Sequence, residues 1–347
     1  MKLSLGFPLL AVTILLGGLP QRTFATTYTY TANATGSWST ATNWNSGNGP
    51  APASDLDAIL SFTTSQNTVA TNDLGTVQLN RLSAANSNKS LTIAGSSVNN
   101  LNFVKNSSDV SPTLQLTKNS SSGLTISIPI TVTDALTITN SGTNAGVTTI
   151  SGAITNSGGM TFDGSGASPI TLSGVVSGAG GIAHGGSYTV TLSKANTYTG
   201  VTTVSGGTLA LGIAHAVSSS SNVVLSGGLL QSDFGQTLGM LDLSASSTLD
   251  LSSGGTFVFA DSSALAGSWT GTLSIIGTFT DGASVNFGIG GLTNGQLGQI
   301  TINGSAAALD GSGYLVVASI PEPSVYSILA GMLTMVGVIC RRRRLRA

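Results

Sequence analysis

Few residues in this chain could do chemistry. There are two histidines, His184 and His215, and one cysteine, Cys340. Neither histidine has a second ligand at a metal spacing such as His-x-x-x-His, so no metal site and no cofactor is expected, and each reads as a surface-turn histidine. The densest run of carboxylates is Asp233, Asp242, Asp250 and Asp261. Glycoside hydrolysis would need two of these roughly 5–9 Å apart beside a groove. A lyase would need a well-placed Lys or Arg, and the middle of the chain offers only Lys194. Serine is so common that it says nothing about a nucleophilic triad. The expectation is therefore turn or solvated aspartates and no enzyme. Trp38 and Trp44 are the remaining candidates. They read as the indoles that begin an N-terminal cap and cover the first coil, with a sugar-stacking platform as the alternative use, and Trp269 as a third ring for such a site.

The elements that would carry these residues are strands. Val, Ile and Leu alternate with Ser and Thr in Leu114-Gln115-Leu116, Leu124-Thr125-Ile126-Ser127-Ile128, Leu136-Thr137-Ile138 and Thr208-Leu209-Ala210-Leu211. That is the period of two that puts alternate side chains on opposite faces of a strand. Gly, Asn and Ser punctuate the segments, and no stretch between Thr26 and Ile320 sustains a helical period. The segments also repeat. Ile150-Ser151-Gly152-Ala153-Ile154 returns 22 residues later as Leu172-Ser173-Gly174-Val175-Val176, and each is followed by a double glycine. Val204-Ser205-Gly206-Gly207-Thr208-Leu209 returns 21 residues later as Leu225-Ser226-Gly227-Gly228-Leu229-Leu230. Short strands at such a period predict a solenoid whose coils stack and share a narrow core. About ten coils at ~4.8 Å each would make a rod of roughly 50 Å.

Composition narrows the partners. Between Thr26 and Ile320 there are five basic residues (Arg81, Lys89, Lys105, Lys118 and Lys194) against twelve aspartates. Phosphate binding needs clustered Lys and Arg, so nucleic acid is not an expected partner. This body has no cysteine and must be held by burial and backbone ladders alone.

Both termini read as targeting segments. Lys2, the apolar stretch Leu5 to Leu19 and the small-residue site Thr23-Phe24-Ala25 predict a secretory signal peptide over residues 1–25. At the other end, Pro321-Glu322-Pro323 precedes an uncharged run, Ser324 to Cys340, and then Arg341, Arg342, Arg343, Arg344 and Arg346. As a helix that run would extend roughly 25 Å, a little short of the ~30 Å hydrocarbon core, and could span with its flanks snorkelling. The arginines would hold the tail end on the cytoplasmic side.

Three segments of the chain resemble known families. Pro-Glu-Pro, an apolar helix and an arginine cluster over the last 27 residues or so resemble the PEP-CTERM sorting signal of exported bacterial proteins. The resemblance implies an exosortase-type processing enzyme as partner, cleavage near Pro321 to Ser324, and membrane anchoring through the helix before processing. It also implies delivery to the cell surface or extracellular matrix, where exopolysaccharide or surface proteins are the partners within reach. Thr191-Leu192-Ser193-Lys194-Ala195-Asn196-Thr197-Tyr198-Thr199-Gly200, continuing to Leu209, resembles the autotransporter-associated β-strand repeat. It implies a right-handed parallel β-helix of the passenger type. A third segment, Gly291-Leu292-Thr293-Asn294-Gly295-Gln296-Leu297-Gly298-Gln299-Ile300, is similar to a segment of repeat proteins with PEP-type tails, and a helical turn is expected near Asn294 to Leu297.

The expected organisation is a signal peptide over 1–25, an N-terminal cap with the first coils over 26–75 and β-helix repeats over 76–253. A C-terminal β cap over 254–320, rich in Phe, and a sorting tail over 321–347 with a transmembrane helix at 324–340 complete it. The fold class is all-β. The expected function is a structural or adhesion-type surface or biofilm-matrix protein, the alternative being a carbohydrate-active enzyme or glycan-binding protein that acts on exopolysaccharide.

Overall fold

The computed structural model describes residues 26–318, apart from 33, 46–54, 65, 87–88, 119–120, 145 and 253. The signal peptide and the Pro-Glu-Pro tail with its helix lie outside the described residues.

The chain folds as a parallel β-solenoid of about ten turns. Its strands are short because each one crosses a single face of the coil before the chain turns. In Leu124–Ile126, Leu124 and Ile126 are buried while Thr125 is part-exposed, and the same pattern holds in Ile130–Val132, Thr148–Ile150 and Ile170–Leu172. Successive coils stack these strands into sheets of twelve, fourteen and five strands.

Stacking is in register, so like residues form columns. In the fourteen-stranded sheet one inward column runs Leu91, Leu124, Thr148, Ile170, Val190, Leu209, Leu230, Leu249, Ile275 and Ile302. In the twelve-stranded sheet another runs Leu60, Leu82, Leu114, Ile138, Phe162, His184, Val204, Leu225 and Leu243. Each buried aliphatic in such a column contributes about 1.5–3 kcal/mol of burial. A one-residue slip would turn the whole set outward, and this holds the register.

The internal repeats are the coils themselves. Ile150 pairs with Leu172 across their 22-residue spacing, and Val204 pairs with Leu225 across 21. Glycine recurs beside the first pair for lack of room: a Cβ on Gly174 would lie 2.0 Å from the Gly152 carbonyl oxygen. Gly159, in the double glycine after the first repeat, has φ +90°, a conformation that side chains rarely tolerate.

The five-stranded sheet spans Val77–Leu79, Leu101–Phe103, Ile130–Val132, Ile154–Asn156 and Val176–Ser177, and it stops there. From Ile59–Thr64 up to that point each turn has three named strands; from Ile182–His184 onward each turn has two. The two ends also differ from the middle. At the N-terminal end Tyr30, Trp38, Trp44 and Phe62 pack ring against ring, with centroids 5.2–5.9 Å apart. At the other end the last parallel strand, Ile300–Ile302, is followed by two antiparallel strands, Ser305–Leu309 and Leu315–Val317. Phe257, Phe259 and Phe287 stack nearby, with centroids 5.9 and 5.0 Å apart.

Among the named elements the helical ones are two 3-10 turns, Ala41–Asn43 and Ser263–Leu265, and one helical turn, Asn294–Leu297. The last starts at Thr293 with a capping box, in which the Thr293 hydroxyl accepts from the Gln296 N–H while the Gln296 side chain accepts from the Thr293 N–H. None of the described helices is long and apolar enough to cross a membrane.

Candidate functional site

The aspartates sit where the backbone needs an acceptor. Asp250 accepts from the Ser252 N–H at 2.8 Å, and Asp261 accepts from the Ser263 N–H and hydroxyl at 2.9 and 2.7 Å. Those two Ser263 bonds hold the Asp261 carboxyl below the usual carboxylate range. Asp242 accepts from the Leu243 N–H at 2.9 Å and the Ser268 hydroxyl at 2.5 Å. The same pattern recurs at Asp73 with Ser39, at Asp134 with the Lys105 N–H, and at Asp310 with the N–H groups of Ser312 and Tyr314. Burial pushes Asp73 up, but its bonds from Ser39 outweigh this and leave the carboxyl depressed. Asp250, Asp261 and Asp310 bond the N–H two residues on and are Asx-type turn positions, whereas Asp73 and Asp134 bond across to residues 34 and 29 positions away.

Asp242 and Asp250 also belong to different sheets. Asp242 pairs opposite Val224 in the twelve-stranded sheet, and Asp250 opposite Gln231 in the fourteen-stranded one. The spacing that suggested a carboxylate pair therefore spreads the two groups over separate faces of the coil. Asp233 is exposed, as is Lys194. No group of three or more His, Cys, Asp or Glu that could hold a metal ion occurs among the described residues.

The two histidines part company. His215 is exposed in a turn, with φ +55°. His184 is a correction to the surface reading: it is fully buried at an inward position of Ile182–His184, stacked between Phe162 and Val204. Its Nε2 lies 2.8 Å from the Tyr188 carbonyl oxygen, and its ring meets the Tyr188 ring edge-on at 5.2 Å. Burial pushes its pKa down, against the opposing pull of backbone carbonyls, so the imidazole is held neutral.

Trp38 and Trp44 are 1% and 3% exposed. The Trp44 indole N–H donates to the Trp38 carbonyl oxygen at 2.9 Å, and the rings meet edge to face. A sugar stacks on an open ring face; these rings spend theirs on Tyr30, Phe62 and each other. Trp269 is also buried, with its indole N–H on the Leu241 carbonyl oxygen.

The Asn-x-Tyr-x-Gly turn at Asn196 to Gly200 has a clear structural use. It occupies the side of the coil where the five-stranded sheet has ended, and its backbone still follows that sheet: the Thr197 N–H donates to the Val176 carbonyl oxygen at 2.9 Å, and the Thr199 N–H to that of Gly178 at 2.9 Å. Asn196 accepts from the Val176 N–H at 2.7 Å and donates to the Ala216 carbonyl oxygen at 2.6 Å, bridging the coils before and after its own. The buried Tyr198 hydroxyl lies 2.8 Å from that of Thr202, which lies 2.9 Å from the Ser221 hydroxyl, which donates to the Gly200 carbonyl oxygen at 2.7 Å. Burial pushes the Tyr198 phenol far up, so it stays protonated and able to donate.

Other enclosed polar residues escaped the sequence reading. Asn140 donates to the Ser168 carbonyl oxygen and accepts from the Gly142 N–H; Asn156 donates to the Gly181 carbonyl oxygen and accepts from the Gly159 N–H. Lys118 is fully buried and its ammonium pKa is pushed down by that burial. The signal for all three was present. Counting by twos from Leu114, Leu116 reaches Lys118, from Leu136, Ile138 reaches Asn140, and from Ile154 reaches Asn156.

Shallow grooves on the surface include one of about 310 and one of about 210 Å³. The first is lined by Gly227, Gly228, Ser246, Thr272 and their neighbours, and the second by Gly158, Gly159, Gly181 and theirs. Neither lining includes a titratable side chain. The chain was compared with known proteins, and no family model, curated protein or solved structure matches it.

Proposed function

We propose that this chain is an exported structural protein, a stiff rod of the right-handed passenger type. In this reading it works at the cell surface or in the extracellular matrix, in adhesion or biofilm architecture. One observation carries it: the coil stack commits its polar groups to holding itself together. The aspartates cap turns, the inward asparagines bridge coils, and the histidine at an inward position is packed neutral. His184, Asp242, Asp250 and Asp261, which could serve an enzyme, serve the scaffold instead.

Export rests on the sequence at both ends. The signal peptide would deliver the chain across the inner membrane. Pro321, Glu322 and Pro323 would be read by an exosortase-type enzyme, with Arg341 to Arg344 and Arg346 orienting the apolar helix until processing. The body resembles the autotransporter-associated repeat through Asn196, Tyr198 and Gly200, whose roles as coil connectors suit a rod.

The test is incubation of the purified chain with acidic and neutral polysaccharides, following both chain cleavage and co-sedimentation. A structural rod leaves every polymer intact. Release of shortened oligosaccharides would overturn the reading in favour of a carbohydrate-active enzyme, and substitution of Asp242 or Asp250 would then locate the site.

A further inference from the structure

One face of the coil carries a regular two-dimensional array of hydroxyl groups. In the fourteen-stranded sheet, Thr92, Thr125, Thr149, Thr171 and Thr191 pair in register on five successive strands. Each stands between inward residues and is part-exposed. Two residues along the chain from the last four stand Ser127, Ser151, Ser173 and Ser193, so the segment Thr-Ile-Ser or Thr-Leu-Ser recurs on four consecutive coils. The serines keep the same step, because the N–H of each of Ser127, Ser151, Ser173 and Ser193 donates to the Ile or Leu carbonyl between Thr and the next residue on the preceding coil. The array is bounded by Val69 on one side and by Ala210 and Gly212 on the other.

The two repeats of this array are set by the fold. Coils are spaced ~4.8 Å apart, and each serine stands one residue past the end of the strand that carries its threonine. Beneath it the inward partners Ile93, Ile126, Ile150, Leu172 and Leu192 are all 1% exposed or less, so the array is anchored to a packed core. No charged residue belongs to either rank, the nearest along the chain being Lys194 after the last serine. The twelve-stranded sheet lacks this uniformity: its corresponding outward positions include Gln115, Asp163 and Asp242.

These properties select a partner. The face has none of the Lys or Arg that carries binding to a phosphate or to an anionic polymer. The array contains no aromatic or Arg anchor of the kind that dominates protein interfaces. Against a flexible hydroxylated chain, each Ser or Thr hydrogen bond would replace one to liquid water for little net gain, and the chain would have to be ordered first. A rigid solid with a neutral lattice of donors and acceptors is different. Both surfaces are already ordered, and contacts accumulate along the repeat. Hydroxyls both donate and accept, as water does, and the ~4.8 Å coil step is close to an oxygen repeat of hexagonal ice. We propose that this threonine–serine face binds ice. This inference stands apart from the proposed matrix role and requires only the coil stack.

The test uses the purified full chain in a nanolitre cryoscope, with single ice crystals grown in its presence. The expected result is faceted crystals whose growth is held below their melting point. Thr149→Lys, at the centre of the array, should abolish at least nine-tenths of that gap, and Thr171→Lys one coil further on should do the same. Thr137→Lys, outward on the twelve-stranded sheet, should leave it unchanged. Urea denaturation midpoints within error of the parent would establish that the variants are folded. Rounded crystals that grow freely at every protein concentration would overturn the proposal. So would equal losses at Thr149 and Thr137, or adsorption to insoluble neutral polysaccharide with no effect on ice.

Discussion

The coils before and after Val176–Ser177 solve one problem in two ways. Before it, the third side of each turn is a short strand in a ladder, with Ile130, Ile154 and Val176 stacked inward. After it, the Asn196 to Gly200 turn keeps the backbone bonds to the coil below and fills the interior with one tyrosine and one asparagine. The first arrangement spreads stability over many interchangeable aliphatic contacts. The second concentrates it in a few polar and aromatic groups, of which Asn196 bonds to the coils on both sides of its own. A solenoid can therefore shorten its circumference without opening its core, provided that particular side chains replace the missing strand.

That contrast predicts unequal sensitivity to mutation. Tyr198→Ala removes a fully buried ring together with its bond to Thr202 and should cost about 3–5 kcal/mol in urea denaturation, with Tyr198→Phe losing only about 1 kcal/mol. Asn196→Ala strands the Val176 N–H and the Ala216 carbonyl and should cost about 2–3 kcal/mol; if it costs no more than Val176→Ala, the proposed difference between the two halves is gone. Gly174→Ala forces a Cβ against the Gly152 carbonyl and should cost about 1–3 kcal/mol, whereas Gly123→Ala, with open space around it, should be close to neutral.

Acid stability gives the smallest and most specific effect. Burial holds the His184 pKa below its ordinary 6.5, so below that pH the unfolded chain binds more protons than the folded one. Its contribution is therefore complete above the unfolded value and is lost as pH falls towards the folded one. His184→Val, which matches Val204 on the next coil, should flatten the decline between about pH 7 and about pH 5. Denaturation midpoints at both pH values check this, and an unchanged slope would show that other groups carry the acid sensitivity.

Most of the architecture was legible in the sequence because its two periods are independent. Alternation within Leu124-Thr125-Ile126 names the inward residues, and the echo of Ile150 in Leu172 names which strands stack. The helical turn at Asn294–Leu297 was marked by Thr293 and Gln296, whose side chains make the cap. His184 was misread because its parity with Ile182, which puts it inward, was not counted. Asp242 and Asp250 looked close because eight residues is a short distance in sequence; in a coil it is far enough to turn a corner. The hydroxyl array could be read as alternation, but its repeat from coil to coil emerges only when the register between coils is known.

The ladder hydrogen bonds that join one turn to the next run along the stacking direction, while the chain itself circles it. Tension applied between the two ends of the stack would therefore peel one rank of bonds at a time, with no need to shear all of them together. A freed coil such as the 22 residues that separate Ile150 from Leu172 could release up to about 70 Å of slack. Coils that have not yet opened keep their neighbours and their core. Under load such a body would lengthen in steps and dissipate work at each one, a mechanical fuse set by the number of turns.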